Sequence, residues 1–185
     1  MPRSFKARPT TDFAREGLFN VLANTYDFNG LVILDLFAGT GSVGFEFASR
    51  GASRVDMVEI NTGTIAYLRH TCKELGMDNV RIFGSDVSRY LSRCRSHYDL
   101  VFADPPYEMD IIPALPELVL NADILFKAGW FILEHGKRNS FGHHPAFRDL
   151  RRYGSVHFSF FERPSPRAKY PDDLLHFSHI FSILS

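Results

Sequence analysis

The sequence predicts an α/β domain on a mostly parallel sheet, with helices on both faces and a C-terminal antiparallel hairpin. Three observations carry this. Apolar strand patterns and helical patterns alternate from Leu31 to Glu134, the chain order of a parallel sheet covered on both sides. A glycine-rich turn, Phe37-Ala38-Gly39-Thr40-Gly41-Ser42-Val43-Gly44, directly follows the first strand. The last two strand patterns flank Gly154-Ser155, as in a hairpin.

The elements follow in order. Asp12 to Tyr26 has helical spacing, with Phe13, Leu18, Val21 and Leu22 on one side. Leu31–Leu36 is a continuous apolar strand, and the helix after its glycine turn ends at Gly51. Arg54–Glu59 is a second strand; a helix from Thr62 stops at Gly76, a suitable C′ residue. Val80–Phe83 is a short strand, Val87–Cys94 a helix, and Tyr98–Ala103 a buried strand. Ile111–Ala122 reads as helix with Pro113 and Pro116 in or near its first turn. Trp130–Glu134 is another buried strand, and Leu150–Tyr153 with Val156–Phe161 forms the hairpin. Arg163-Pro164-Ser165-Pro166 reads as a break. Residues 1–162 are therefore expected to form one domain, and 163–185 a tail of no assigned role in which Asp172–Ser185 forms a short helix.

A length of 185 residues suits one ordinary domain with a sizeable core. Apolar residues make up 45% of the chain, yet no run approaches the roughly 18 that a membrane helix needs. Met1 to Arg8 is basic without an apolar centre, so no secretory signal is expected. Cys72 and Cys94 lack C-x-x-C spacing and fit free thiols in a reducing cytoplasm. Net charge is zero, but eight Lys/Arg face only Asp149 and Glu162 between Lys137 and Lys169. Arg3, Lys6, Arg8 and Arg15 face only Asp12 near the start. Such stretches suit phosphates or an ordinary solvated surface equally well. The eight histidines show no ligand spacing with cysteines or acids, so no metal is expected. His135, beside Glu134 at a strand end, reads as a packed or solvated histidine, with a place at the border of the active site as the other reading.

Chemistry concentrates at the ends of strands. Asp104-Pro105-Pro106-Tyr107 leaves the Tyr98–Ala103 strand as a stiff loop, because two prolines fix φ near −65° and remove two donors. A carboxylate beside the Pro105 carbonyl makes a receptor for an –NH2 group, and the Tyr107 ring can lie against a planar substrate. The same four residues also suit a plain proline-terminated turn. Asp35 and the Gly39/Gly41 turn lie where open α/β sheets bind ligands. No Gly-Lys-Ser/Thr follows, so this is not a phosphate-cradling Walker loop. Its Asp-x-Phe-x-Gly-x-Gly suits a cationic, zwitterionic ligand better than a pyrophosphate. Glu59 stands 24 residues after Asp35 at the next strand tip, placed for the two hydroxyls of a ribose. Asp86 can accept from an adenine amino group with Val87 as apolar neighbour, or simply cap the following helix.

Four such elements in this order resemble a class I S-adenosylmethionine-dependent methyltransferase, with its Rossmann-like sheet. The D-P-P-Y sequence resembles the amino-methyltransferases that act on adenine N6, cytosine N4, guanine N2 or amide nitrogen. Arg8-Pro9-Thr10-Thr11-Asp12-Phe13-Ala14-Arg15-Glu16-Gly17-Leu18-Phe19-Asn20 is similar to the R-P-T-T-D-x-x-R-E-x-L-F-N segment of the RsmD family, bacterial 16S rRNA guanine-N2 methyltransferases. The resemblance covers Phe5 to Glu162. It implies S-adenosylmethionine held by Asp35, Phe37, Gly39, Gly41, Glu59, Ile60, Asp86, Val87 and Asp104. It implies catalysis by Asp104, Pro105, Pro106 and Tyr107, RNA contacts from Arg8, Thr10, Thr11 and Arg15, and a 16S rRNA or small-subunit assembly particle as partner. Family members usually carry a basic, Gly-containing, strand-like stretch before R-P-T-T, where here only Met1–Ala7 precedes it. That departure predicts weaker RNA docking or a truncated start. A methyltransferase for DNA adenine N6 or a glutamine amide, and a non-catalytic RNA-binding protein on the same fold, are the other readings. Intact Asp35, Gly39, Gly41, Glu59, Asp86 and Asp104 count against the last.

Overall fold

The structure, a computed structural model, describes residues 9–163, the first three by backbone alone. Arg8, the side chains of Thr10 and Thr11, and the tail beyond Arg163 with its expected helix lie outside the described residues. In chain order come α1 (Pro9–Ala23), β1 (Val32–Leu36), α2 (Ser42–Ser49), β2 (Arg54–Glu59), α3 (Thr62–Leu75), β3 (Val80–Gly84), α4 (Val87–Arg93) and β4 (Tyr98–Ala103). A 3-10 turn (Ile112–Ala114), α5 (Leu115–Asn121), β5 (Leu125–Gly136), β6 (Phe147–Tyr153) and β7 (Val156–Glu162) complete them. The sheet order is β3-β2-β1-β4-β5-β7-β6. The first five strands run parallel, and β7 inserts antiparallel between β5 and β6. Strand order reverses at β1, which opens a crevice between β1 and β4 at their carboxyl ends.

Side chains alternate across the strands and divide the core in two. Ile33, Met57, Leu100, Phe102, Ile132 and Phe158 meet α1, α2 and α3 on one face. Leu34, Val58, Val101, Phe131, Leu133 and Phe161 meet α4 and α5 on the other. The second face also buries a polar network. The Tyr98 hydroxyl donates to Asp56 Oδ2 at 2.8 Å, shares a 2.6 Å bond with the Tyr90 hydroxyl, and Arg54 Nε lies 3.4 Å from the same carboxylate. His135 is fully buried, with Nε2 at 2.8 Å from Ser159 Oγ and Nδ1 at 2.9 Å from the Gly136 carbonyl. It is a packed histidine that ties β5 to β7.

Four elements differ most from the sequence reading. Helix α1 starts at Pro9, a residue pre-set for the first helical turn, and ends at Ala23 rather than Tyr26. Its buried face is Ala14, Leu18, Phe19 and Leu22. Phe13 is 62% exposed and meets the Tyr153 ring edge-on at 5.8 Å. The helix expected over Ile111–Ala122 is a 3-10 turn followed by α5, because Pro113 and Pro116 each withhold a donor that a continuous helix needs. Strand β5 starts at Leu125, not Trp130; Ala128 takes a left-handed φ of 57° and the pairing register with β4 shifts between Tyr98 and Leu100. That irregularity falls on Lys127-Ala128-Gly129, which carries no strand pattern. Strand β6 likewise reaches back to Phe147 through a register shift against β7.

Candidate active site

Four acids stand at the carboxyl ends of β1, β2, β4 and β5, and strand register explains why they share a face. Asp35 pairs with Met57 and Phe102, and Phe102 pairs with Ile132. Glu59, Asp104 and Glu134 each lie two residues beyond one of these partners, so a period of two brings all four to the α2 side. Asp35 sits one step lower, buried beneath the other three.

The glycine turn closes over Asp35. Phe37 takes a left-handed φ of 61°, a strained conformation for an aromatic residue, and Gly39 and Gly41 follow with φ of 52° and 76°. Asp35 Oδ2 accepts the Gly44 N–H at 3.0 Å in the first turn of α2. Burial, then the charge of Asp104, raises the Asp35 carboxyl from 3.8 to about 8, against the lowering effect of the Gly44 N–H. Gly44 packs so closely that a Cβ there would lie 2.4 Å from Met57 Cε and 2.9 Å from Asp35 Oδ2. A Cβ on Gly41 would lie 2.6 Å from Leu68 Cδ2. Around Gly39, by contrast, the nearest atom is the Phe37 carbonyl oxygen at 3.8 Å, so the turn is open there.

Glu59 holds the turn from the neighbouring strand. Its Oε2 accepts from Gly39 N–H at 2.9 Å, and its Oε1 accepts from Ile60 and Asn61 N–H, each at 2.8 Å. A carboxylate has about four acceptor positions, so three are in use and one remains toward the crevice. Beside it Ile60 is 68% exposed, an apolar surface at the rim. At the end of β3, Asp86 caps α4 by accepting from Arg89 N–H at 3.1 Å through one oxygen. Val87 is buried in the α4–α5 core rather than at the surface. A cleft of about 390 Å³ lined by Phe83, Gly84, Ser85, Arg89, Tyr90 and Arg93 opens beside this capping turn.

The D-P-P-Y loop leaves β4 where the register predicts. Asp104 reaches solvent at the mouth of the crevice and Pro105 is buried; the Pro106 carbonyl accepts from Met109 N–H at 2.9 Å and turns the loop back. The Tyr107 hydroxyl donates to Glu134 Oε1 at 2.9 Å. Its ring lies against Gly136, where a Cβ would fall 3.1 Å from Tyr107 Cδ2. Glu134 is almost wholly buried and stands beside Asp104 across the β4–β5 pairing. Burial raises both carboxyls, Asp104 to about 6 and Glu134 to about 8, and the Asp104 charge adds to the rise at Glu134. Although Asp104 touches water, the protein crowded around it outweighs that contact. The pair therefore shares one proton near neutral pH.

The structure thus brings Asp35, Phe37, Gly39, Gly41, Glu59, Ile60, Asp104 and Tyr107 to one crevice, with Asp86 and Val87 at its β3 end. Arg15, on α1, is ion-paired with Asp12 at 3.1 Å. Glu134 belongs to the site, although the sequence reading does not include it. Its signal is an acid ending the apolar run Trp130-Phe131-Ile132-Leu133, but only the β4–β5 register sets it beside Asp104. Among the described residues, no three His, Cys, Asp or Glu are grouped as metal ligands. The side chains around the turn are carboxylate acceptors, and the Gly39 N–H is already taken, so a pyrophosphate is disfavoured and a cation favoured. An exposed apolar rim next to a ribose-spaced carboxylate completes a set that fits S-adenosylmethionine.

Comparison with known proteins agrees. A family model described as Conserved hypothetical protein 95 matches residues 1–162. The ribosomal RNA small subunit methyltransferase D of Buchnera aphidicola subsp. Acyrthosiphon pisum is 35% identical over 134 residues, covering 72% of this chain and 69% of its own length. Its Escherichia coli K12 counterpart is 29% identical over 166 residues, covering 88% and 83%. A solved structure of a hypothetical protein from Thermus thermophilus superposes with a TM-score of 0.76 at 28% identity, covering 88% of this chain and 91% of its own. The fold is the Rossmann-like class I methyltransferase fold, and the chain belongs to the RsmD family.

Proposed function

We propose that this chain methylates the exocyclic N2 amine of a guanine in 16S rRNA, using S-adenosylmethionine. The observation that carries the reading is Asp104, set at the tip of β4 between Glu59 and the Asp35 turn on one side and Glu134 on the other. S-adenosylmethionine, when bound, supplies a methyl group activated on a sulfonium. Glu59 would hold its ribose, Ile60 and Asp86 its adenine, and the Phe37–Gly41 turn with Asp35 and Asp104 its charged end, while the side chain of Val87, buried in the core, is withdrawn from the adenine site.

The guanine amine is a poor nucleophile because its lone pair is delocalised into the ring. Hydrogen bonds from the –NH2 to the Asp104 carboxylate and the Pro105 carbonyl favour a pyramidal nitrogen and aim that lone pair. Charge-assisted bonds of this kind are worth about 1.5–3 kcal/mol each. As the N–C bond forms, the methyl–sulfur bond breaks, S-adenosylhomocysteine leaves as the neutral thioether, and the nitrogen sheds a proton. Asp104, raised to about 6 and open to water, can take that proton and release it. Pro106 fixes the loop, and Tyr107 stacks on the base, worth about 1–3 kcal/mol. A paired guanine must flip out to reach the site.

Arg8, Thr10, Thr11 and Arg15 are the proposed phosphate contacts, and residues 1–162, the span of the family match, the methyltransferase unit. The choice of guanine in 16S rRNA rests on the relatives, and a cytoplasmic location goes with that choice. Tritiated methyl incorporation into naked 16S rRNA, small-subunit particles, DNA and total protein tests the reading. Label in rRNA or particles supports it; label only in DNA or protein sinks it.

A further inference from the structure

Glu134 meets two neighbours of opposite sense. It accepts from the Tyr107 hydroxyl through Oε1 at 2.9 Å, and the β4–β5 register sets its carboxyl against that of Asp104. Two ionised carboxylates cannot share a hydrogen bond, since neither has a donor. A carboxylic acid at 134 satisfies both contacts at once: its C=O accepts from Tyr107 and its O–H donates to Asp104. The register places the two carboxyls side by side, because Ala103 pairs with Leu133 and the next residues on the two strands are Asp104 and Glu134.

We propose that Glu134 is a positioning residue of the methyl-transfer site, holding a proton that keeps Asp104 ionised and orients it together with Tyr107 toward the amine. This rests on the proposed reaction. The donated hydrogen bond removes one charge from a crowded row of acids. It occupies one Asp104 oxygen and leaves the other for the substrate –NH2. It also locks the Tyr107 ring plane between Glu134 and Gly136. The charged or titratable groups around Glu134 are few. Asp104 and Tyr107 touch it, and Asp35 and Glu59 lie beyond Asp104 along the strand ends. On β7 the residue opposite is Phe158, and His135 and His157 are paired one position along. On α1, Arg15 is paired with Asp12.

The full-length chain carries the test, as wild type, Glu134→Ala and Glu134→Gln, with methyl incorporation into 16S rRNA or particles followed across pH. Alanine removes both contacts and lets Asp104 and Tyr107 drift, a misplacement expected to cost about 10²-fold. Glutamine presents a carbonyl to Tyr107 and an N–H to Asp104, so it should recover most of what alanine loses. Wild-type activity should fall as pH rises through about 8, where Glu134 gives up its proton, and E134Q should lose that descent. A folded E134Q as impaired as E134A, or one keeping the same alkaline descent, overturns the proposal. An infrared pH titration needs no substrate. Asp35 and Glu134 should both contribute a protonated carboxyl band lost near pH 8 in wild type, and E134Q should lose the Glu134 share of it. If wild type methylates nothing, the reaction reading fails while this band still decides where the proton is; a band of unchanged size in E134Q refutes the role of Glu134.

Discussion

Glu59 and Gly39, 20 residues apart, are joined by a 2.9 Å hydrogen bond from the Gly39 N–H to Glu59 Oε2. The other oxygen accepts from Ile60 and Asn61. One carboxylate at the tip of β2 therefore shapes the glycine turn after β1 and starts the segment leading to α3. Turn geometry and the proposed ribose contact depend on the same side chain.

Glu59→Gln keeps the shape but turns one acceptor oxygen into an N–H2 that repels a backbone N–H. Losing such bonds costs about 1–3 kcal/mol, and Glu59→Ala removes all three. Both variants should bind S-adenosylmethionine more weakly by calorimetry and unfold at lower urea concentration. Unchanged affinity removes Glu59 from the ribose site.

Asp104→Ala should lower methyl transfer by about 10²-fold or more, the scale of losing a preorganised polar group at a reacting centre. S-adenosylmethionine affinity should stay largely intact, because Glu59 and the turn remain. A variant that methylates rRNA at near-native rate shows that the amine receptor lies elsewhere.

Gly41→Ala places a methyl 2.6 Å from Leu68 Cδ2 and 2.7 Å from Phe45 Cε2, at a residue whose φ is 76°. Strain of that type costs about 1–3 kcal/mol before any clash is counted. Thermal unfolding should shift down, and cofactor affinity should fall with it. Gly39→Ala, with open space around it, should be milder in stability; a reversed order would mean that packing around Gly41 yields easily.

Asp35 makes stability depend on pH in a stated direction. Its carboxyl rises from 3.8 to about 8 on folding, chiefly through burial. An acid with a raised folded value holds its proton more tightly folded than unfolded, so it favours the fold at low pH. Stability then falls as pH climbs from about 4 to about 8, with a slope near 1.4 kcal/mol per pH unit for each proton involved. Asp35→Asn stays neutral and still accepts from Gly44, so it should flatten that slope in urea unfolding series. Glu134, also raised, keeps its own share of the slope. An unaltered slope in D35N means that the Asp35 carboxyl does not carry this proton.

Much of the fold was legible along the chain because its signals are local. Gly76 ends α3 in a left-handed φ of 61°, as its placement after an apolar-periodic run implies. The parallel strands read as unbroken apolar runs because both faces are buried. The misread boundaries have long-range causes. Phe13 fits the helical stripe by spacing, but the sheet offers it no cavity, and α1 buries Ala14 and Phe19 instead. The start of β5 is strand only because β4 pairs with it across a bulge, with no help from Lys127-Ala128-Gly129.

By itself, the sequence determined the alternation of elements, the glycine turn, and three of the four acids at the strand ends, since each is written in neighbouring residues. Tertiary structure decided the rest. Asp35 and Glu59 act first on backbone N–H groups of the turn, which no spacing rule reveals. Glu134 becomes a neighbour of Asp104 and a partner of Tyr107 through the register of two strands 30 residues apart, and the rise of its carboxyl follows from burial beside another carboxylate. Desolvation and charge proximity are properties of packed space, so they exist only once the chain has folded.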